Sequence, residues 1–275
     1  MITIVTDSSS YFKKKEAQDL GIRVIPINYS VNGQNYSESY SDKNGDFENL
    51  LKGKGEFTTS HPNMSAFLSC FEEELSRNNE VLCITISSRL SGAYGTAFTA
   101  ARQSESKSIE LFDSQLTAGG LYMLVKETKK LIDGGLGLHE TLKELPAIRD
   151  RINIAFSVDD MAPLRKSGRI GFVRMSFGTL LNTKPILLCK DGAVVSDSIA
   201  RGNAEIIKKL VAKINARTPE VIISYIGDNR LATNLYNVIK NTYPDIAVNL
   251  QKIGPVLGIH LGLKVIAISF EQEQV

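Results

Sequence analysis

The chain has 275 residues, 43% of them hydrophobic and 23% charged, with 32 Lys and Arg against 30 Asp and Glu, for a formal net charge of +2. This is the composition of an ordinary globular protein, long enough for a large core and for two domains. A charge so near balance excludes the concentrated basic face of a nucleic-acid binder, and no apolar run approaches the roughly 20 residues of a membrane span.

The predicted elements begin with a strand, Ile2–Thr6, running into the turn Asp7-Ser8-Ser9-Ser10. A signal peptide is not expected at such a start, and the expected compartment is the cytoplasm. The spacing predicts a helix over Phe12–Leu20, whose Lys13-Lys14-Lys15 forms a solvated face. A strand over Arg23–Ser30 follows, with Asn32-Gly33 as a hairpin turn. Pro62 opens a helix through Arg77, Val81–Ile86 is a strand, and Ala93–Arg102 is a helix. Ile109–Phe112 is a short strand, Ser114 caps a helix through Leu131, and Leu138–Arg149 forms another. Strands alternating with helices predict a parallel sheet in an α/β arrangement.

From residue 152 the rhythm changes. A strand at Ile152–Val158 and a short helix at Asp159–Lys166 lead to the loop Ser167-Gly168-Arg169. Asp191-Gly192 joins two strands, Pro185–Cys189 and Ala193–Ser198, as a hairpin. Helices over Asn203–Ala216 and Asn229–Asn241 alternate with strands at Val221–Ile226, Ile246–Gln251 and Val265–Phe270. The fold class expected is therefore two-domain α/β. An N-terminal parallel-sheet domain, 1–151, carries the strand-end crevice, and a C-terminal α+β domain, 152–275, faces and closes it.

Two hydroxyl-rich turns carry the chemistry: Thr58-Thr59-Ser60-His61-Pro62-Asn63 and Ser87-Ser88-Arg89-Leu90-Ser91-Gly92. Each precedes a helical stretch, where unpaired N–H groups and a partial positive charge suit an anion. Such hydroxyls also serve as plain N-caps, but they outnumber what two caps need. Ligands of open α/β sheets sit beyond the carboxyl ends of strands, where Asp7, Ser8, Ser87, Ser88 and Asp113-Ser114 fall. Neither a nucleophile elbow, nor P-loop spacing, nor a G-x-G-x-x-G is present. His61, His139 and His260 lack metal spacing, so no metal site is expected. The cysteines, Cys70, Cys83 and Cys189, form no C-x-x-C and read as reduced, mostly buried thiols. His260 lies among closely spaced glycines that allow backbone approach, and is either a ligand-facing or a structural histidine. The basic runs around Arg169 and Arg201 are either solvated turns or partner-contact surfaces.

Taken in order, Thr6-Asp7-Ser8, Thr58–Pro62, Ser87–Gly92, Asp113-Ser114, Asp159–Met161 with Ser167–Ile170, Lys184–Ile186, Ala200–Gly202 and Ile253–Val256 resemble the DegV family across nearly the whole chain. The resemblance implies the fatty-acid-binding subunit of bacterial fatty-acid kinase. Such a protein is a non-catalytic carrier with no cofactor, which holds one long-chain fatty acid and presents its carboxylate to a separate ATP-dependent kinase subunit. By motif, Thr59 and Ser91 would hydrogen-bond the carboxylate with His260 beside it, and Arg201 would meet the partner; Ser60 and Gly92 are further candidates for the carboxylate, and Arg169 for the partner. Asp7, Ser8, Ser87, Ser88, Phe67 and Met161 are further pocket candidates, and transient contact with a membrane surface is part of the expectation. The sequence departs from the family pattern at His61 and Asn63, and at Leu261-Gly262-Leu263 after the histidine.

The physics is compatible with a lipid: about 14 buried methylenes at roughly 0.8 kcal/mol each give about 11 kcal/mol before binding costs. The tail would be held by apolar helix faces at Met64-Phe67-Leu68-Phe71, Ala93–Phe98, Leu121-Tyr122-Leu124 and Met161-Leu164. The alternative reading is a hydrolase or transferase acting on a small carboxylate or phosphorylated substrate, with Ser91 as nucleophile or binder, His260 as acid/base and Asp7 converging on them.

Overall fold

The computed structural model describes residues 1–53, 55–170 and 183–272. Ile2–Asp7 (β1) ends in a 3-10 turn, Ser8–Ser10, and Lys14–Asp19 (α1) follows. Arg23–Ile25 (β2) and Ile27–Val31 (β3) are two strands in different sheets, not the single strand expected over Arg23–Ser30. Pro26 stands between them, and without an N–H it cannot continue a ladder. Gln34–Glu38 (β4) returns from β3 through Asn32-Gly33, both at positive φ as the tight hairpin turn requires. Phe47–Leu51 (α2) leads to Phe57–Ser60 (β5) and Met64–Ser76 (α3). Thr58–Ser60 is thus a strand and not a turn. Thr59 pairs with Tyr29 of β3, as suits a β-branched residue on a half-buried pleat.

Glu80–Thr85 (β6), Ala93–Gln103 (α4), Ile109–Asp113 (β7), Ala118–Asp133 (α5) and Leu138–Arg151 (α6) complete the first half. Its main sheet, in the order β2-β1-β6-β7, is parallel throughout. Val81, Leu82, Cys83 and Ile84 are all buried, the unbroken apolar run of a strand covered on both faces. On the outer face, Phe67, Phe71, Ala97 and Ala100 of α3 and α4 pack against Val5, Val81 and Cys83.

Ile152–Val158 (β8), Ala162–Lys166 (α7), Thr183–Lys190 (β9) and Ala193–Arg201 (β10) open the second half. Gly202–Val211 (α8), Glu220–Ile226 (β11), Arg230–Thr242 (α9), Ala247–Lys252 (β12), Pro255–Leu261 (α10) and Val265–Glu271 (β13) follow. The six strands run in the order β10-β9-β8-β13-β11-β12, antiparallel except for the β11–β12 pair. On one face, Ile206, Leu210, Leu235 and Ile239 of α8 and α9 cover Ile186, Ile223 and Ile268.

The other face meets the first half across α5. A Cβ on Gly119 would lie 2.8 Å from Ser269 Oγ, and one on Gly120 would lie 2.7 Å from Ile154 Cδ1, so only glycine lets the helix rest this closely on the second sheet. One apolar cluster runs from Ile4, Leu82 and Ile84 through Leu121 and Leu124 to Ile154, Phe156 and Ala267. The chain passes from the first sheet to the second at Arg151–Ile152, and the two halves share this core.

Candidate functional site

A cavity of about 350 Å³ lies within that shared core. The first half supplies Ile27, Ile86 and Leu90 to its lining. The second half supplies Ile154, Phe156, Val194, Val265 and Ala267 from strands, and Leu164, Val256, Leu257 and Leu261 from α7 and α10. Into this apolar lining comes a contiguous polar patch of Thr59, Ser60, His61, Ser91, Gly92, Arg169 and His260. Thr59, at the end of β5, places Oγ1 2.7 Å from His260 Nε2 on α10. Gly92, the residue before α4, is in contact with His61: a Cβ there would stand 2.7 Å from the imidazole Cδ2. Arg169 Nε donates to the Leu90 carbonyl at 3.4 Å.

Burial pushes the His260 imidazole down to about 4, with the Arg169 charge adding to the effect, so the ring is neutral at neutral pH. Its Nδ1 is buried with no partner among the described residues. An unpartnered lone pair is the lesser cost than an unpartnered N–H, so the proton belongs on Nε2, where it is donated to Thr59 Oγ1. The threonine hydroxyl is then free to donate onward. Ser91 Oγ accepts from the Ala93 N–H at 3.3 Å, and among the described residues its own O–H donates to none. Among the described residues the patch offers donors and the Arg169 guanidinium, and no carboxylate borders the cavity, an arrangement that suits an anion.

The DegV family model, described as "Uncharacterised protein, DegV family", matches residues 1–273. The chain belongs to the DegV family. It is 31% identical to a DegV domain-containing protein of Halalkalibacterium halodurans over 99% of both chains. Among solved structures it resembles a DegV family protein from Thermus thermophilus described for its fatty acid binding, with a TM-score of 0.87, 28% identity and 99% of each chain covered. It also shares its fold with a stearic acid-binding protein from Eubacterium ventriosum, with a TM-score of 0.88, 21% identity and coverage of 99% and 98%.

In this DegV chain the residues expected to bind a carboxylate, Thr59, Ser60, Ser91, Gly92 and His260, all border the cavity. The further pocket candidates do not. Asp7 is fully buried and accepts from Ser9 N (3.0 Å), Ser9 Oγ (2.6 Å) and Ile86 N (2.7 Å), tying the end of β1 to the end of β6. Ser8 Oγ donates to Glu38, and Ser87 Oγ donates to the Gly192 carbonyl at 2.7 Å, joining the two halves. Ser88 is exposed and bonds Asp113. Phe67 belongs to the outer core under α3, and Met161 packs in the inter-sheet core.

The expected tail-holding helix faces are likewise displaced. Phe71 faces the outer core, Met64 and Phe98 are exposed, and only Leu164 of that set borders the cavity. Arg169, expected as a partner contact alone, borders the cavity as well. Arg201 is exposed before α8, where its N–H donates to Glu205. The Ser91–His260–Asp7 constellation of the hydrolase reading does not assemble: His260 bonds Thr59, and Asp7 is sealed against Ser9 and Ile86.

The walls contributed by β8, β10 and β13 went unrecognised in the sequence. The apolar runs of β8 and β13 mark strands buried on both faces, but not that one of those faces meets the first half. Among the described residues no helix is long and apolar enough to cross a membrane, and no His, Cys, Asp or Glu cluster is suited to a metal ion. A wider cleft of about 1130 Å³ shares Leu261 and Val265 with the cavity; apolar Leu51, Phe57, Ile226 and Leu263 and charged Glu48, Asp159, Lys184 and Lys264 border it, and none of Thr59, Ser91 and His260 does.

Proposed function

We propose that this protein is a carrier that holds one long-chain fatty acid, about C14–C18, with its hydrocarbon in the cavity and its carboxylate on the Thr59–Ser91–His260 patch. The observation that carries the reading is an apolar cavity inside the shared core with hydroxyl donors and a neutral imidazole at its polar patch. Its volume of about 350 Å³ lies within the roughly 300–1,000 Å³ typical of small-molecule sites. The 28%-identical Thermus thermophilus protein, described for its fatty acid binding, supports the same ligand class. About 14 methylenes at roughly 0.8 kcal/mol each supply the affinity. Charge-assisted hydrogen bonds of about 1.5–3 kcal/mol from Thr59 and Ser91 offset desolvation of the carboxylate and set its orientation. Arg169 adds a positive charge at the patch, with Ser60 and the Gly92 backbone alongside.

In this reading the protein itself performs no bond-making step: among the described residues the imidazole donates to Thr59 and makes no bond to Ser91. In this reading the carboxylate is presented to a separate ATP-dependent kinase subunit in the cytoplasm, and exposed Arg201 contributes to that contact. Native mass spectrometry before and after organic extraction tests the carrier. A mass excess of one C14–C18 acid, released on denaturation, is expected. A protein that carries no lipid and takes up none on incubation overturns the reading. Phosphorylation of the bound acid by an added kinase subunit and ATP, lost in Arg201→Ala with lipid retained, tests the presentation step.

A further inference from the structure

Helix α10 carries His260, yet nothing in its own sequence caps it. Its N-cap is Gly254, which has no side chain, and Pro255 has no N–H. One orphan donor of its first turn, Val256 N–H, is met from across the fold by Glu38 at the end of β4, with Oε2 accepting at 3.0 Å, while the next N–H, Leu257's, faces the Tyr11 hydroxyl. Glu38 Oε1 accepts from Ser8 Oγ at 3.0 Å, and Ser8 Oγ accepts from the Ile27 N–H at 3.2 Å. A single carboxyl therefore joins α10 to β4, to the turn after β1 and to β3. A Cβ at residue 254 would lie 2.4 Å from Glu38 Oε2 and 2.5 Å from Asn44 Nδ2, so the glycine of the Ile253-Gly254-Pro255-Val256 motif is there to admit this carboxyl. Val256 and His260 are four residues apart, on one face of the helix, and both border the cavity. Thr59, the partner of His260, sits on β5, which pairs with the same β3.

We propose that Glu38 is a positioning residue for the head-group patch: its carboxyl fixes the first turn of α10 to the β3–β4–β5 sheet and so holds His260 against Thr59. The inference rests on the reading of that patch as the carboxylate site, but its geometry is independent of any ligand. Glu38 is fully buried, and the titratable groups that face it are acids: Asp7 at the end of β1, Tyr11 after the 3-10 turn and Tyr29 on β3. On α2, Glu48 pairs with Lys252 of β12 at 3.0 Å. Among the described residues no hydrogen bond or ion pair joins Glu38 to a cation, and burial pushes its carboxyl up to about 8. It therefore holds α10 as a neutral acid near neutral pH. When it ionises, an uncompensated charge faces Asp7 and the clamp loosens.

The test compares Glu38→Gln, which keeps the volume and the acceptor for Val256, with Glu38→Ala and the shorter Glu38→Asp. His260 is titrated by NMR in the lipid-free protein, and palmitate affinity is measured from pH 6 to 9. In Glu38→Ala and Glu38→Asp the His260 titration should move up from about 4 towards its ordinary 6.5, with palmitate bound about tenfold more weakly. Glu38→Gln should match the wild type in both below about pH 8, and should lack the fall in affinity expected of the wild type above it. If Glu38→Ala does not fold, the aspartate variant carries the test. An unmoved His260 titration in every folded variant overturns the proposal. A moved titration with no palmitate uptake by any form, wild type included, sustains the positioning role and overturns the fatty-acid reading instead.

Discussion

Two polar clusters lie inside this core, and they differ in what they leave free. Around Asp7 and Glu38, buried backbone and serine donors are met by the two carboxyls: Asp7 takes three hydrogen bonds, and Glu38 takes those of Ser8 and Val256. Around Thr59, Ser91 and His260 the bonds are few, hydroxyl donors remain uncommitted, and the groups open on a cavity. In the sequence both clusters are hydroxyls and acids near strand ends. What separates a structural cluster from a binding one is therefore not residue type but whether the third dimension supplies each donor with an acceptor.

The largest expected effect breaks the closed cluster. Asp7→Ala strands the N–H groups of Ser9 and Ile86 and the Ser9 hydroxyl in a fully buried place. At about 1–3 kcal/mol for each of the three unsatisfied groups, the loss should be roughly 3–9 kcal/mol, a fall of about 10 °C or more in melting temperature. Thr59→Val strands only the His260 Nε2–H, so stability should fall by no more than about 1–3 kcal/mol by urea unfolding, while palmitate affinity should drop about 10- to 100-fold, the worth of one charge-assisted hydrogen bond.

These expectations show what the sequence discloses and what it withholds. The alternation of strand and helix before residue 151, and the Asn32-Gly33 and Asp191-Gly192 hairpins, are local signals and are legible. Pro26 is local too, but its consequence, the transfer of the chain between sheets, depends on partners far away in sequence. Thr58–Ser60 reads as a turn because polar residues cluster there, and becomes a strand because β3 supplies a ladder. Thr59, Ser91 and His260 are legible as donors near an anion. That Asp7, Ser8 and Ser87 spend their bonds on Ile86, Glu38 and Gly192 is not, because each partner is 30 or more residues distant. For the same reason Phe67 and Met161, apolar residues on short helical stretches, cannot be assigned to cavity or core before the sheets are stacked.

A smaller effect sharpens the comparison through pH. Glu38, raised from its ordinary 4.5 to about 8, keeps a proton in the folded state that the unfolded chain has lost. Its contribution is full below about pH 4.5 and is lost as pH rises through about 8. Buried Asp7, also raised, acts in the same direction. His260, lowered from 6.5 to about 4, contributes fully above about pH 6.5 and loses its contribution as pH falls through about 4. The slopes oppose below pH 6.5. Between about 6.5 and 8 the fall due to Glu38 is unopposed by His260, about 1.4 kcal/mol per pH unit. Urea midpoints across that range should decline in the wild type and flatten in Glu38→Gln. Smallest of all, Arg169→Gln should weaken palmitate binding a fewfold at low salt and less at high salt, because the guanidinium is exposed and screened.

Palmitate labelled with 13C at its carboxyl carbon gives the most direct measurement. Bound to the wild type, the carboxyl should give one resonance distinct from free acid, displaced by Thr59→Val and by Ser91→Ala and unmoved by Ser88→Ala. A bound resonance indifferent to Thr59→Val and Ser91→Ala would contradict the assignment of the head group to this patch.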